Sequence, residues 1–412
     1  MVFKCQENSF LKEFTSKVVH CEKVELITVV NGKKEEIKGY ELILEDTILF
    51  PEGGGQPCDH GYLNDAPVRF VVRKEDKAIH YVEAPFNVGD DVKQVVDWER
   101  RFDHMQQHSG QHLLTAIIDR EFHIPTSSWW LGEEVSHVEL DTASITHGQI
   151  KTIESIVNQL IRDGKNVTVS VYTKDSPEAE LNEVRARGLP ADHKGDIRVI
   201  TIQDVESNMC CGTHVQNLSQ LQVIKLLHAE KSKRKDKTFL YFLVGNRVVK
   251  RLDTCIDREQ KLTTLLKNNP SEHVDLVDKL VKNTKTLSKN LQTVLKDLAV
   301  MEARSLKSLD PPPKYFSMHR KEAEPDFMNT FIKELGRTDI FLFLSTGDEK
   351  TVGNIVLYGE EKPVSDLGNQ ICELLDGKGA GKGNKFQAKV TKMANRKKAE
   401  QRISDYFKLV VL

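Results

Sequence analysis

The spacing of apolar residues changes along this chain and divides it into stretches of different grammar. Residues 17–25, 41–50 and 68–72 are rich in Val, Ile, Leu and Phe, with Gly, Asn, Asp and Pro between them. Short apolar runs bounded by turn residues predict β-strands, and Asn31-Gly32 is a hairpin-type turn signal. Residues 1–95 therefore predict a small antiparallel β-barrel or sheet. From Val96 the period lengthens. Phe102, Met105, His108, His112 and Ala116 keep helical spacing over residues 97–121, with no proline and one glycine, Gly110. A second helix is predicted over 146–163 on Ile150, Ile153, Ile156, Val157, Leu160 and Ile161, and strands over 167–172 and 197–202. Residues 96–246 read as an α+β domain.

Residues 248–309 are helical in pattern, broken at Pro270-Ser271, with Ser271 placed to cap the second helix. Val277, Leu280, Thr284, Leu287, Leu291, Val294 and Leu298 alternate by three and four, a coiled-coil seam with one polar position. Residues 247–310 thus predict a helical hairpin. The same seam between two chains would make a homodimer, so the partner expectation is a monomer or such a dimer. Pro311-Pro312-Pro313 is a stiff linker. Beyond it, strands at 315–319, 340–344 and 354–358 mix with helices at 325–335 and 364–375, so residues 311–412 predict a C-terminal α/β domain. The fold class expected is α+β, multidomain.

Composition narrows the function. The chain has 412 residues, 39% hydrophobic and 29% charged, which suggests about two to four domains. Its 59 basic and 61 acidic residues nearly cancel, which excludes nucleic-acid binding by bulk charge but not by local patches. Two patches stand out: the run 377–398, with four glycines, eight basic residues and no acid, and Lys231-Ser232-Lys233-Arg234-Lys235, which reads as an exposed hairpin turn. Runs of 18 apolar residues are absent, so no membrane span is expected. The first residues hold no apolar signal core, and seven scattered cysteines make no disulfide framework. A reduced, cytoplasmic setting is expected.

Two segments share a chemistry. In His108-Ser109-Gly110-Gln111-His112 the histidines are four apart and lie on one helix face. In Cys210-Cys211-Gly212-Thr213-His214 a thiol and an imidazole flank a glycine turn. Together His108, His112, Cys210 and His214 make a three-nitrogen, one-sulfur set that suits one Zn2+ ion per chain. Ser109 stands where the metalloprotease pattern His-Glu-x-x-His needs Glu. His104 with His108 is an alternative helical pair, and Cys211 an alternative thiolate.

These residues resemble the editing domain of alanyl-tRNA synthetase and its free-standing AlaX-type relatives, a domain shared more distantly with threonyl-tRNA synthetase. His108-x-x-x-His112-Leu113-Leu114 is similar to the family's first zinc motif. Arg187-Gly188-Leu189-Pro190 and Asp196-Ile197-Arg198-Val199 resemble its central loop and strand. Cys210-Cys211-Gly212-Thr213-His214-Val215 resembles Cys-Gly-Gly-Thr-His-Val, with Cys211 replacing a glycine. Phe50-Pro51-Glu52-Gly53-Gly54-Gly55-Gln56-Pro57 and Asp59-His60-Gly61 resemble the glycine-rich motif of the family's barrel. The resemblance implies that Gly53, Gly54, Gly55 and Gln56 lie near the editing pocket and the tRNA acceptor end. It also implies a pocket hydroxyl at about Thr126, Ser127 or Ser128. Gly377-Lys378-Gly379-Ala380-Gly381-Lys382-Gly383 with Phe386-Gln387-Ala388 resembles the C-terminal domain of alanyl-tRNA synthetase, implying tRNA contacts at Lys378, Lys382 and Lys385.

The activity implied is hydrolysis of mischarged tRNA(Ala), chiefly Ser-tRNA(Ala), by a trans-acting aminoacyl-tRNA deacylase. Class II synthetase motifs are not apparent, so charging of tRNA is not expected. Two other readings differ in class. Gly54-Gly55-Gln56 matches the tripeptide of release factors, which suggests a peptidyl-tRNA hydrolase. A closed four-ligand zinc site suits a non-enzymatic tRNA- or protein-binding module.

Overall fold

The computed structural model describes residues 2–30, 33–172, 196–348 and 352–409. Asn31-Gly32 and the Arg187-Gly188-Leu189-Pro190 loop lie outside them. The chain divides into two compact units, Met1–Gln260 and Lys261–Leu412.

The first unit opens with a short helix, α1 (Lys4–Glu7), and a closed six-stranded antiparallel barrel. Its strands are β1 (Glu13–Val30), β2 (Lys33–Leu44), β3 (Gly61–Leu63), β4 (Ala66–Lys74), β5 (Lys77–Val82) and β6 (Asp91–Val96), in the order β1-β2-β5-β4-β3-β6. The expected barrel is present. The strand predicted to run to Phe50 ends at Leu44; beyond it Ile48, Leu49 and Phe50 are buried as a core-filling connection. An apolar run cannot distinguish a strand from such a plug.

Helix α2 (Trp98–Phe122) follows, capped by Asp97. It is buried nearly all round, so its polar residues must find partners inside. Arg101 donates to Asp59 and to the carbonyls of Ser9 and Ile48, which joins the helix to the barrel. Strands β7 (Thr126–Leu131) and β8 (Ser136–Leu140) lead to α3 (His147–Asp163), then β9 (Val167–Tyr172), β10 (Ile197–Ile202) and β11 (Glu206–Met209). Next come β12 (Ile224–Lys231) and β13 (Thr238–Val244). Two sheets result, β11-β10-β9 and β12-β13-β8-β7. Val138, Leu140, Leu240, Phe242 and Leu226 share one core with the apolar residues of α2 and α3. Helix α4 (Asn246–Leu266) crosses the boundary between the units.

In the second unit, α5 (His273–Lys307) precedes β14 (Tyr315–Arg320), α6 (Pro325–Leu335), β15 (Phe341–Gly347), β16 (Gly353–Tyr358) and α7 (Glu361–Leu374). The chain ends in β17 (Gly377–Lys382), β18 (Lys385–Val390) and α8 (Arg396–Leu409). The sheet order is β14-β15-β16-β18-β17. Alternate residues of β15 face opposite layers. Phe341 and Phe343 pack with α7 and α8, while Leu342 and Leu344 pack with α5 and α6.

Two expectations change here. Ser271 does not cap α5: it lies in a one-turn 3-10 helix, Pro270–Glu272, capped by the Asn269 side chain, and α5 starts from Glu272. The basic run 377–398, where no strand was expected, forms a β-hairpin at the sheet edge leading into α8. Along α5, the seam residues Val277, Leu280, Leu287, Leu291 and Val294 are exposed, whereas Ala299, Ala303 and Leu306 are buried in the layer that includes α6.

Candidate metal centre

The two predicted segments meet. His108 and His112, one turn apart on α2, face the loop after β11, which carries Cys210 and His214. One ligand atom from each of the four lies within 4.8 Å of the others, and the three imidazoles are buried. His108 Nε2 is 3.4 Å from Cys210 Sγ, and His214 Nε2 is 3.2 Å from it. The ring centroids of the histidines are 4.5–5.1 Å apart. The open alternatives are decided by position. His104, a turn earlier, lies outside the cluster, and its buried Nδ1 has no hydrogen-bond partner. Cys211 turns its sulfur toward Gly53 and Gly54 instead.

Each ligand is aimed by a second layer. His108 Nδ1 lies 2.9 Å from Gln56 Oε1, and the same oxygen accepts from Thr213 N. Gln56 Nε2 in turn donates to Thr213 Oγ1. An amide oxygen can only accept, so Nδ1 carries the proton and Nε2 is left for the cluster. Ser109 Oγ accepts from Val215 N and sits 3.0 Å from His214 Nδ1, which orients that ring likewise. The carboxylate of Glu206 is 3.9 Å from His112 Nδ1. Gly212 is where only glycine fits, because a Cβ there would lie 2.3 Å from the His108 ring.

The electrostatics suit a cation. Burial, then the neighbouring imidazoles, hold His108 and His214 well below the usual histidine range, so they are neutral and their lone pairs are available. Burial pushes the Cys210 thiol up to about 12, with Arg198 opposing the shift. A metal ion is the group that deprotonates such a thiol. Three imidazole nitrogens and one sulfur, all directed inward, fit Zn2+ in number, softness and spacing.

The Gly53–Gln56 turn lies against this cluster. Gly53 and Gln56 pair backbone to backbone, and Gly54 and Gly55 have φ of +60° and +78°. A Cβ on Gly55 would lie 2.5 Å from Trp129 Nε1. The three candidate pocket hydroxyls separate. Thr126 pairs with Leu140 in register and shares the inner sheet face with Trp129. Ser128 donates to Glu139 on the outer face, and Ser127 meets Lys237. In the second unit, Lys378 and Lys382 are exposed on β17, while Lys385 donates to Asn329 of α6.

Several residues at the centre carried no role in the sequence reading. Gln6 donates to Cys211 O, and Arg198 donates to Cys210 O and Gln6 O. These bonds clamp the Cys210 loop onto α1. Ser109 read as a spacer. Its place between two histidines is uninformative until the Val215 backbone arrives beside it.

Comparisons with known proteins agree in their location. The model of the threonyl and alanyl tRNA synthetase second additional domain matches residues 197–241, which include the Cys210–His214 loop. The class II (A) tRNA synthetase model matches residues 6–100, the barrel segment, where no class II motif was expected. Alanyl-tRNA editing protein Aarsd1 of Mus musculus is 50% identical over 407 residues, covering 98% of each chain. Aarsd1-B of Xenopus laevis is 48% identical over 97% of this chain and 96% of its own. A putative alanyl-tRNA editing protein alaX of Saccharomyces cerevisiae is 31% identical over 98% of this chain and 95% of its own.

Proposed function

The chain belongs to the family of alanyl-tRNA editing proteins, and we propose that it is a trans-acting, zinc-dependent deacylase of mischarged tRNA(Ala), chiefly Ser-tRNA(Ala). One observation carries the zinc-dependent reading: four donors converge beside a left-handed glycine turn and are fixed by a second layer of hydrogen bonds. Water is added across the ester, giving the free amino acid and the ribose hydroxyl of tRNA. His108, His112, Cys210 and His214 would hold one Zn2+ ion. When bound, it supplies positive charge that can polarise the ester carbonyl or acidify a water.

The chain's own residues do the rest. Gln56 keeps Nδ1 of His108 protonated, so its Nε2 faces inward, and Ser109 holds the His214 ring by its Nδ1 with Nε2 toward Cys210. Arg198 braces the Cys210 carbonyl. The turn Gly53-Gly54-Gly55 lets backbone approach Trp129 and Cys211 more closely than any side chain would allow, with Gly54 and Gly55 exposed where the acceptor end would lie. Thr126, on the inner face, is the hydroxyl that reads the serine side chain. A site that hydrogen-bonds the extra hydroxyl discriminates against alanine more strongly than size alone allows. Lys378, Lys382 and Lys385 supply tRNA contacts, and the reaction takes place in the cytoplasm.

The test is incubation of the purified protein with Ser-, Gly- and Ala-tRNA(Ala), with and without a chelator. Selective, chelator-sensitive loss of the seryl ester is expected; an intact seryl ester overturns the reading. The four-donor set also suits a closed structural site, for which tight tRNA binding without turnover is the signature. The release-factor comparison has less support, because Gln56 is 1% exposed and engaged with His108 and Thr213.

A further inference from the structure

We propose that the outer face of the β12-β13-β8-β7 sheet is a platform for unpaired RNA. Its aromatic rings stack on bases, and the basic turn between β12 and β13 holds phosphates. Turnover at the metal centre is not required for this binding, so the inference goes beyond the deacylase reading.

The face is built from residues that alternate with the core positions. Trp130 pairs in register with His137, and His137 with Tyr241, so three strands contribute a ring at one level. On the fourth strand His228 stacks on Tyr241, with centroids 4.7 Å apart and planes 20° from parallel. Trp130 and His137 are 5.6 Å apart, His137 and Tyr241 5.3 Å, and Phe239 joins His137 at 4.7 Å. A solvent-facing sheet surface is ordinarily polar. Here it is a continuous row of rings with an aromatic or imidazole on every strand.

The row is seated rather than loose. Trp130 is 57% exposed, yet its ring lies over Gly132, where a Cβ would come within 2.4 Å of it. His137 Nδ1, at the centre, has no hydrogen-bond partner. Two carboxylates lie on this face: Glu139 is 1% exposed and accepts from Ser128, Ser232 and Arg234, and the exposed Glu230 sits 3.1 Å from His228 Nε2 and accepts from the Tyr241 hydroxyl, so both are engaged by partners.

Charge selects the occupant. The segment Lys231-Ser232-Lys233-Arg234-Lys235-Asp236-Lys237 has five basic residues and one acid. Ser232 and Arg234 bond Glu139, which folds this turn over the outer face, while Lys231, Lys233 and Lys235 are exposed. From His228 and Tyr241 a cleft of about 950 Å³ continues, lined by four basic and four acidic residues, so the surplus of positive charge lies at the turn rather than in the cleft. Rings in a row with cations at one end match splayed bases and their backbone. A sheet face cannot enter the deep, narrow groove of an RNA duplex, so the partner is unpaired.

The test uses the full-length protein and a labelled, uncharged oligoribonucleotide of about 12 nucleotides, followed by fluorescence anisotropy as a single strand and as a duplex. The single strand should bind more tightly. Trp130→Ala with Tyr241→Ala should weaken it by roughly tenfold or more, the scale of a lost base stack. Lys233→Glu with Lys235→Glu should flatten the salt dependence by about one unit of slope per lost phosphate contact. Metal content and melting temperature of the ring variant should match those of the unaltered protein. Equal binding of strand and duplex, or unchanged affinity in the ring variant, overturns the proposal. So does a ring variant that alters self-association or protein capture but not RNA binding, which would make the face a protein-docking surface. Deacylation of Ser-tRNA(Ala) is a separate assay, so either result can fail while the other stands.

Discussion

Two glycine-rich segments look alike as sequence and do opposite work in the fold. In Gly53-Gly54-Gly55-Gln56 the glycines form a turn packed against Cys211 and Trp129, and the buried Gln56 reaches a histidine of the four-donor cluster. In residues 377–383 the glycines flatten an exposed edge strand: Cβ atoms on Gly379 and Gly381 would strike Ala388 and Phe386 of β18. Glycine in the first case lets the turn close up against Cys211 and Trp129. In the second it lets a strand lie against its neighbour and leaves Lys378 and Lys382 in solvent. Composition alone predicts neither; the packing partner decides.

The comparison breaks most sharply at the buried end. His108→Ala or Cys210→Ala should abolish both metal content and deacylation, because each removes one of four converging donors. Gly212→Ala should do nearly the same without touching a ligand, since its Cβ would collide with the His108 ring. If that variant kept full zinc by elemental analysis, the tight-packing account of the loop would be wrong. Gln56→Ala is the next step down: losing an outer-layer partner typically lowers metal affinity roughly 10- to 100-fold. Gln56→Glu keeps an acceptor for His108 Nδ1 and should recover most of the loss in a chelator competition.

Much of this was legible in the chain. The period of α2, its pair of histidines and the Cys210–His214 spacing point to the metal cluster, because a helix places residues four apart on one face. The barrel and the strands β14, β15 and β16 of the second unit follow from apolar runs and turn residues. What was not legible depended on long-range contacts. Gln56 was expected near the editing pocket and the acceptor end, but the ring it contacts, His108, lies 52 residues later and is not paired with it by any spacing in the sequence. Thr126, Ser127 and Ser128 are indistinguishable as a string, but a bulge against β8 sends Ser128 outward while Thr126 stays inward. The 377–398 run lacks the alternation that marks a strand on its glycine side, so its hairpin was missed.

Burial can be tested by acid as well as by mutation. His80 lies in the barrel with no exposed surface, and burial lowers its pKa to about 4. The unfolded chain takes up this proton near pH 6.5 and the folded chain does not until about pH 4. Stability from this group is therefore complete above pH 6.5 and falls as pH drops through that window. At pH 5 the loss is about 2 kcal/mol, roughly a 30-fold change in the folding equilibrium. Trp98, Trp129 and Trp130 are the chain's three tryptophans and all lie in the first unit. Urea unfolding followed by tryptophan fluorescence at pH 7 and pH 5 thus reads that unit, and His80→Gln should shrink the difference by the same amount. An unchanged difference would mean that His80 is not held neutral.

The exposed hairpin should give the smallest effect, and a different kind of effect. Lys378→Ala with Lys382→Ala removes two charges from solvent without opening a cavity, so metal content and melting temperature should not move. If both lysines touch phosphates, each contributes roughly a 3.5-fold loss of affinity between about 50 and 200 mM salt. The unaltered protein should therefore show a KM for Ser-tRNA(Ala) that climbs with salt about 12-fold more than that of the double variant, with kcat the same in both. A matching salt dependence would assign these lysines to solubility and leave the glycines of this hairpin a purely structural task. A fall in kcat would instead tie the hairpin to the chemistry, and the contrast between the two glycine-rich segments would then be one of position rather than of function.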